Sequence, residues 1–169
     1  MPHHPSVTES ELSWATARLV QEHQTGPRLR PLVILTDTGP LVAIVDVNDR
    51  NYERCLAYVD STKDTLLTTA ACFTEAMHLL YRAGGYRLQA DLWTLREHGI
   101  LTIHEADQDE YDAMANYMET YADSPMDLAD ASIVVAADRL SAKSVFTLDS
   151  HFYAYRLADG AHIEVVPQA

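Results

Sequence analysis

A short apolar run that ends at an aspartate constrains the fold of this chain more than any other feature. Residues 32–35 are Leu-Val-Ile-Leu, Thr36 and Asp37 follow, and Gly39-Pro40 comes directly after them. Such a run predicts a strand buried on both faces, as in a parallel sheet, and the glycine and proline end it. In open α/β sheets, ligands bind just beyond the carboxyl ends of the strands. Asp37 is therefore a candidate site residue, although an aspartate at this place can equally cap a helix or form a turn.

The same alternation of strand and helix patterns continues to the end of the chain. Four further strands are predicted, at residues 65–69, 100–104, 144–148 and 163–166. Helical patterns lie between them, at 41–45, 52–59, about 70–82, about 86–98, after Asp107 as a predicted cap, and at 126–140. Strands that alternate with helices require crossover connections and favour parallel pairing. The sequence therefore predicts an α/β fold, a three-layer α/β/α sandwich with a mostly parallel sheet.

The first 31 residues precede this pattern and are predicted to form an N-terminal helical extension and a linker. Thr8 and Glu11 fit a capping box, and Gly26-Pro27 ends the helix that would follow it. We therefore divide the chain into an extension, residues 1–31, and an α/β domain, residues 32–169. We expect a chain that starts at Pro31 to fold without the extension.

Composition and charge restrict the class of protein. There are 12 basic and 25 acidic residues, a net charge of −13, which argues against a general nucleic-acid coat protein but not against a nuclease with local phosphate contacts. No segment approaches 18 consecutive apolar residues, and no signal-peptide pattern is present. Cys55 and Cys72 have no partner motif and are predicted to be reduced packing residues. We expect a cytoplasmic protein with no membrane association.

Two acidic residues lie within predicted helices. Glu75 shares a polar stripe with Thr74 and His78, so an ordinary solvated helix face is the favoured interpretation when Glu75 is considered alone. Asp130 interrupts a helix that is apolar nearly all round, where an unpaired carboxylate costs several kcal/mol. Asp130 must therefore find a partner, a metal ion or a water-filled cleft, and a ligand role is the better interpretation.

Two further aspartates are open to a structural interpretation. Asp127 follows Ser124-Pro125 and fits a capping arrangement with the serine as N-cap, but it also lies one helical turn before Asp130. Capping or an orienting role is slightly favoured over direct metal ligation. Asp149 ends a predicted strand as Asp37 does, and an Asx-turn with the residues after it is the alternative. Several carboxylates held together without histidine or cysteine suit Mg²⁺ or Mn²⁺ better than zinc.

Three short motifs carry a resemblance to a known family. The segments 34–43 (Ile-Leu-Thr-Asp-Thr-Gly-Pro-Leu-Val-Ala), 127–132 (Asp-Leu-Ala-Asp-Ala-Ser) and 147–152 (Thr-Leu-Asp-Ser-His-Phe) resemble motifs of PIN domains, in particular the VapC-like toxins of bacterial toxin–antitoxin pairs. The resemblance covers about residues 32–166. The chain departs from the family pattern in its N-terminal extension and at His151, where an arginine or aspartate is common.

The resemblance implies a Mg²⁺-dependent endoribonuclease that leaves 5′-phosphate and 3′-hydroxyl ends. It matches Asp37, Glu75 and Asp130 to the acids expected to hold the metal, with Asp149 as the usual fourth. Thr38 matches a hydroxyl that orients Asp37 or a metal-bound water. Two alternatives remain: a non-catalytic PIN module that only binds a partner, and an aspartate-dependent phosphatase, which Gly39 disfavours because that chemistry requires a second aspartate there.

The resemblance also implies partners for the chain, namely an RNA substrate and a cognate antitoxin protein. We expect an arginine of the antitoxin to bridge the carboxylates, and we expect a homodimer. We also expect exposed apolar residues on the two helices after Asp37 to form a groove for the antitoxin: Leu41, Ile44, Leu56 and Tyr58.

Overall fold

The computed structural model of the chain describes residues 14–25, 33–62, 64–124 and 126–167. It contains five strands: β1 (Val33–Thr36), β2 (Thr65–Thr69), β3 (Leu101–His104), β4 (Ser144–Phe146) and β5 (Glu164–Val166). Its helices are α1 (Trp14–Thr25), α2 (Thr38–Val45), α3 (Tyr52–Thr62), α4 (Ala70–Gly84), α5 (Tyr86–Glu97), α6 (Gln108–Thr120) and α7 (Leu128–Leu140). A short 3₁₀ helix, Ser150–Tyr153, follows β4.

The five strands form one sheet in the order β3-β2-β1-β4-β5, and all four neighbouring pairs are parallel. The chain winds outward in one direction from β1 through β2 to β3, and then returns to place β4 on the other side of β1. This reversal makes the gap between β1 and β4 a topological switch point, where ligands bind in folds of this kind. Asp37 lies there, and its backbone N–H donates to the Phe146 carbonyl at 2.9 Å.

Alternate residues of the strands point to opposite faces of the sheet, and each face is covered by helices. Ile34 lies in a core cluster with buried residues of α1 to α5, whereas Leu35 lies in a second cluster formed largely by α7. The predicted α/β/α sandwich is confirmed, and the sheet of the described residues is entirely parallel.

Helix α1 packs against the domain instead of standing apart from it. Leu19 and Val20 are buried in the first core cluster, and Arg18 forms an ion pair with Asp60 of α3 at 2.7 Å. Removing α1 would return this apolar surface to water, at roughly 1.5–3 kcal/mol for each large side chain. Folding from Pro31 stays a prediction, but the packing of Leu19 and Val20 opposes it. The predicted capping box at Thr8 and Glu11 and the linker at residues 26–31 lie outside the described residues.

Two expectations from the sequence are wrong. Helix α7 begins at Leu128, and its N-cap is Asp127, not Ser124. The predicted antitoxin groove does not exist as described, because Leu41, Ile44 and Leu56 are buried in the first core cluster. The two differences have separate origins. Two capping signals lie close together before α7, and an apolar helix face in the sequence does not show whether it is buried in the core or exposed for a partner.

Candidate active site

Asp37 is the most enclosed carboxylate of the site, with 6% of its surface exposed. Its Oδ1 accepts hydrogen bonds from the Thr38 backbone N–H at 2.6 Å and from the Cys72 thiol at 3.7 Å. Its Oδ2 accepts from the Thr147 hydroxyl at 2.7 Å. Burial raises the pKa of Asp37, and the negative charges of Asp149 and Glu75 raise it further, while the bonds from Thr147 and Thr38 oppose the rise.

The Cys72 thiol belongs to the wall of this site. Burial, followed by the nearby charge of Asp37, raises the pKa of Cys72 to about 12, so the sulfur keeps its proton at neutral pH. It can therefore donate to Asp37 Oδ1 and to the Ala129 carbonyl, at 3.7 and 3.6 Å. Cys55 is buried as well, and both cysteines are free, as predicted.

Thr38 joins Asp37 to Glu75. The hydroxyl of Thr38 donates to Glu75 Oε2 at 2.8 Å, whereas the contact with Asp37 is made by the backbone N–H. The hydroxyl therefore orients Glu75 and not Asp37. Glu75 lies on the exposed face of α4, and its hydrogen bond with Thr38 shows that its carboxylate is directed to the carboxyl edge of the sheet.

Asp149 is held at the end of β4 by its own turn. The backbone N–H of Asp149 donates to the Thr147 hydroxyl oxygen at 3.0 Å, so Thr147 connects Asp149 with Asp37. Asp149 Oδ1 accepts from the His151 backbone N–H at 2.9 Å and lies 2.7 Å from His151 Nδ1. The Asx-turn considered from the sequence is therefore present, and the position of the turn brings Asp149 close enough to affect the pKa of Asp37.

Asp130 occupies the third position of α7, and 8% of its surface is exposed. Burial, then the charges of Asp127 and Asp37, raise the pKa of Asp130 to about 7, against the opposing effect of a 3.1 Å hydrogen bond from the Tyr155 hydroxyl. Asp127 is the N-cap: its Oδ1 accepts the Asp130 backbone N–H at 3.0 Å. The structure thus shows the capping role of Asp127 and leaves Asp130 beside Asp37.

A hydroxyl pair fixes the two helices that carry these acids. Thr69, the N-cap of α4, lies 2.6 Å from the Ser132 hydroxyl of α7, oxygen to oxygen. Ser132 also bonds the Ala129 carbonyl at 2.7 Å. This buried contact joins the N-terminal ends of α4 and α7, the helices that carry Glu75 and Asp130.

The donor set fits a hard divalent cation by its chemistry. Burial is the largest cause of the raised pKa of both Asp37 and Asp130, and nearby carboxylates raise each pKa further: Asp149 and Glu75 for Asp37, and Asp127 and Asp37 for Asp130. A cation would relieve that repulsion. As placed in the described part of the chain, however, no three His, Cys, Asp or Glu side chains converge into a ready-made metal site. An ion held by three or four acids would therefore require the more exposed Glu75 and Asp149 to approach the two buried ones.

Reasoning from the sequence missed the residues that hold the acids. Thr147 and Cys72 contact Asp37, Tyr155 contacts Asp130, and His151 contacts Asp149. Thr147 and His151 lie within the motif around Asp149, so their position in the sequence could have indicated them. Cys72 and Tyr155 are brought in by the fold, and their spacing carries no such signal.

A parallel sheet with acidic side chains gathered at its switch point defines a class of α/β proteins whose site lies at the carboxyl edge. Within that class, the chain is similar to Ribonuclease VapC26 of Mycobacterium tuberculosis, with 29% identity over 137 residues that cover 79% of this chain and all of that protein. The crystal structure of Mycobacterium tuberculosis VapC20, a sarcin–ricin loop cleaving toxin, superposes with a TM-score of 0.65 at 16% identity, over 72% of this chain and 93% of that one. No protein-family model matches the chain.

These comparisons confirm the resemblance to VapC-like PIN-domain ribonucleases and the PIN-type fold predicted from the sequence. The described helices include none that is long and apolar enough to cross a membrane.

Proposed function

We propose that this chain is a Mg²⁺-dependent endoribonuclease and the toxin of a toxin–antitoxin pair. The observation that carries the proposal is the buried pair Asp37 and Asp130 at the switch point of the sheet, with Glu75 and Asp149 beside it. The similarity to Ribonuclease VapC26 supports the nuclease activity, and the likeness in fold to the VapC20 toxin agrees with the toxin role. Mn²⁺ could replace Mg²⁺, because both prefer oxygen ligands.

We assign the metal to Asp37, Asp130, Glu75 and Asp149. Asp37 and Asp130 are buried and fixed by hydrogen bonds, so they would form the rigid side of the site, and the more exposed Glu75 and Asp149 would complete it. When bound, Mg²⁺ would acidify the attacking water and offset charge on the phosphoryl oxygens.

Hydrogen bonds from neighbouring groups orient these acids. Thr147 holds Asp37, Thr38 holds Glu75, and the Asp127 cap fixes the first turn of α7 around Asp130. Burial keeps water away from Asp37 and Asp130, which strengthens their interaction with a cation. A module that only binds a partner would gain nothing from enclosing these two carboxylates, since each enclosed charge costs stability.

Mg²⁺-dependent cleavage of a mixed RNA panel tests the proposal, with EDTA as the control. Asp37→Asn should lower cleavage by more than about 100-fold, because even an outer partner of a metal ligand contributes 10–100-fold. Asp46→Asn, an aspartate in the turn after α2, is the matched control and should cleave like the wild type. Cleavage that persists in EDTA, or an Asp37→Asn variant as active as the wild type, would overturn the proposed mechanism.

We propose further that a cognate antitoxin inhibits the enzyme by placing an arginine between the carboxylates, and that the toxin is a homodimer in the cytoplasm. The arrangement of acids supports the first point, since an arginine can bridge two carboxylates with parallel hydrogen bonds. The two free cysteines support a reducing compartment. Co-expression with the product of a neighbouring gene, followed by an RNA cleavage assay and a measurement of mass in solution, tests these points. If no neighbour binds and expression of the chain alone is harmless, the toxin role fails.

A further inference from the structure

Tyr155 is a fully buried tyrosine whose hydroxyl reaches an acid of the proposed metal site. It lies just after the 3₁₀ helix that follows Asp149, and its hydroxyl donates to Asp130 Oδ2 at 3.1 Å. A buried tyrosine hydroxyl needs a polar partner, but many backbone carbonyls could serve. Here one partner is the Asp130 carboxylate, which the sequence identified as costly to bury.

Aromatic contacts from two parts of the chain fix the ring of Tyr155. Phe152 packs edge-on against it, with centroids 5.3 Å apart, and so does Tyr121, at 5.1 Å. Tyr121 is itself held, because its hydroxyl accepts the Arg156 backbone N–H at 3.0 Å and its ring stacks on Tyr117. The hydroxyl of Tyr155 therefore has little freedom to follow Asp130 if that carboxylate moves.

The hydrogen bonds to the Asp130 carboxylate are one-sided. In the part of the chain that the structure describes, both end on Oδ2, from the Tyr155 hydroxyl at 3.1 Å and from the Asp127 backbone N–H at a long 3.4 Å. The tyrosine supplies the shorter of the two. This leaves Oδ1 as the oxygen available to a ligand.

We propose that Tyr155 is a positioning residue that holds Asp130 by Oδ2 so that Oδ1 is presented to a divalent cation shared with Asp37. This inference rests on the proposed nuclease function. Partners that orient a carboxylate ligand contribute about 10–100-fold to metal affinity or activity. A tyrosine suits this task in a site crowded with acids, because it donates a hydrogen bond without adding a charge that would compete with the cation.

The chain contains a matched control for this contact. Tyr117 donates its hydroxyl to Asp138 Oδ2 at 2.6 Å, and Asp138 Oδ1 accepts the Ala158 backbone N–H at 2.9 Å. Both tyrosines thus donate to an aspartate of α7 and both contact Tyr121. Asp138 lies about two turns after Asp130, near the C-terminal end of α7 and away from the proposed metal site. A Tyr117→Phe substitution therefore removes a similar hydrogen bond without touching the site.

The experiment compares the full-length wild type, Tyr155→Phe and Tyr117→Phe. Mg²⁺ binding is measured without RNA, by calorimetry and by the rise in melting temperature on adding MgCl₂, and cleavage is then measured as a function of MgCl₂ concentration. We expect Tyr155→Phe to weaken Mg²⁺ binding by about 10–100-fold. It should recover part of its cleavage rate at high MgCl₂, whereas Tyr117→Phe should stay within about twofold of the wild type in both measurements.

Equal Mg²⁺ binding by Tyr155→Phe and the wild type would overturn the inference, and so would equal weakening by the two tyrosine variants, since that would be a general effect of lost packing. If Tyr155→Phe is too unstable to measure, Tyr121→Phe replaces it, because it removes the hydroxyl that holds the Arg156 N–H beside Tyr155 and keeps the aromatic rings. Weaker Mg²⁺ binding by Tyr121→Phe than by Tyr117→Phe supports the inference, and equal binding overturns it. A wild type that neither binds Mg²⁺ nor cleaves RNA would instead refute the proposed function, a result separate from any difference between the variants.

Discussion

Helices α6 and α7 begin with the same local motif, and yet only one of them contributes to the candidate site. In α6, the N-cap Asp107 accepts the Glu110 N–H at 3.0 Å, and the Glu110 carboxylate accepts the Asp107 N–H at 3.0 Å. In α7, Asp127 accepts the Asp130 N–H at 3.0 Å, but the return bond to Asp130 is 3.4 Å long. The two helices have the same length and pack against each other.

The two helices differ in the partners of the acid at the third helical position, which is Glu110 in α6 and Asp130 in α7. Glu110 Oε1 lies 2.7 Å from His104 Nε2, at the end of β3, so its carboxylate is occupied by a partner that can carry a positive charge. Asp130 is one methylene shorter and lies close to Asp37. Among the described residues, its carboxylate accepts the neutral Tyr155 hydroxyl and the long bond from the Asp127 N–H, and neither donor carries a charge. In this chain, the capping box of α6 is structural because Glu110 is paired with His104. The capping box of α7 belongs to the candidate site because Asp130 has uncharged hydrogen-bond donors and lies near the carboxylates of Asp127 and Asp37.

The largest expected effect is a difference in RNA cleavage between variants of Asp130 and of Glu110. Asp130→Asn should lower Mg²⁺-dependent RNA cleavage by more than about 100-fold, because it removes a carboxylate assigned to the metal. Glu110→Gln should leave cleavage within about twofold, since Glu110 is paired with His104 away from Asp37. Steady-state cleavage rates of the purified variants measure this. Comparable losses in both would show that the comparison between the helices is mistaken.

The next effect concerns stability and pH in the absence of metal. The pKa of Asp130 is raised to about 7 in the folded protein and is near 3.9 in an unfolded chain. The folded state therefore holds a proton that the unfolded state releases, so the contribution of Asp130 to stability is greatest below about pH 4 and falls as the pH rises towards 7. The loss from this group is about 4 kcal/mol at most, because each pKa unit corresponds to about 1.4 kcal/mol. Urea midpoints in EDTA from pH 4 to 8 measure it.

Asp130→Asn supplies the control for that pH dependence. The variant should be more stable than the wild type at pH 8 in EDTA and should lose less stability between pH 4 and 7, since the amide does not ionise. Addition of Mg²⁺ should stabilise the wild type at pH 8 more than the variant. If the wild type and the variant fall in parallel, Asp130 is not the group responsible.

The smallest effect compares the two caps. Asp127→Asn and Asp107→Asn should each lower the free energy of unfolding by about 1 kcal/mol or less, because asparagine is also a good N-cap. Asp127→Asn should retain measurable cleavage, and Asp107→Asn should cleave like the wild type. Complete loss of cleavage in Asp127→Asn alone would make Asp127 a metal ligand and not a cap.

Local patterns predicted much of this protein correctly. The apolar run before Asp37 gave a buried parallel strand, the alternation of elements gave the sandwich, and Asp107 was found as the cap of α6. Asp37 and Asp130 were singled out because each interrupts or ends an apolar segment, and the structure places both near one another. The start of α7 was misplaced because Ser124-Pro125 and Asp127 both offer good capping chemistry, and local preferences could not choose between them.

The sequence by itself determined the elements, their order and the carboxylates that are costly to bury, because these follow from propensities and from contacts between residues a few positions apart. Tertiary structure alone decided that Glu110 is paired with a histidine and that Asp130 lies close to Asp37 instead. His104 reaches Glu110 because β3 ends beside α6, and Tyr155 and Thr147 reach Asp130 and Asp37 across 25 and 110 positions of the chain. Such partners depend on the packing of distant segments, and no spacing within a single helix or strand encodes them.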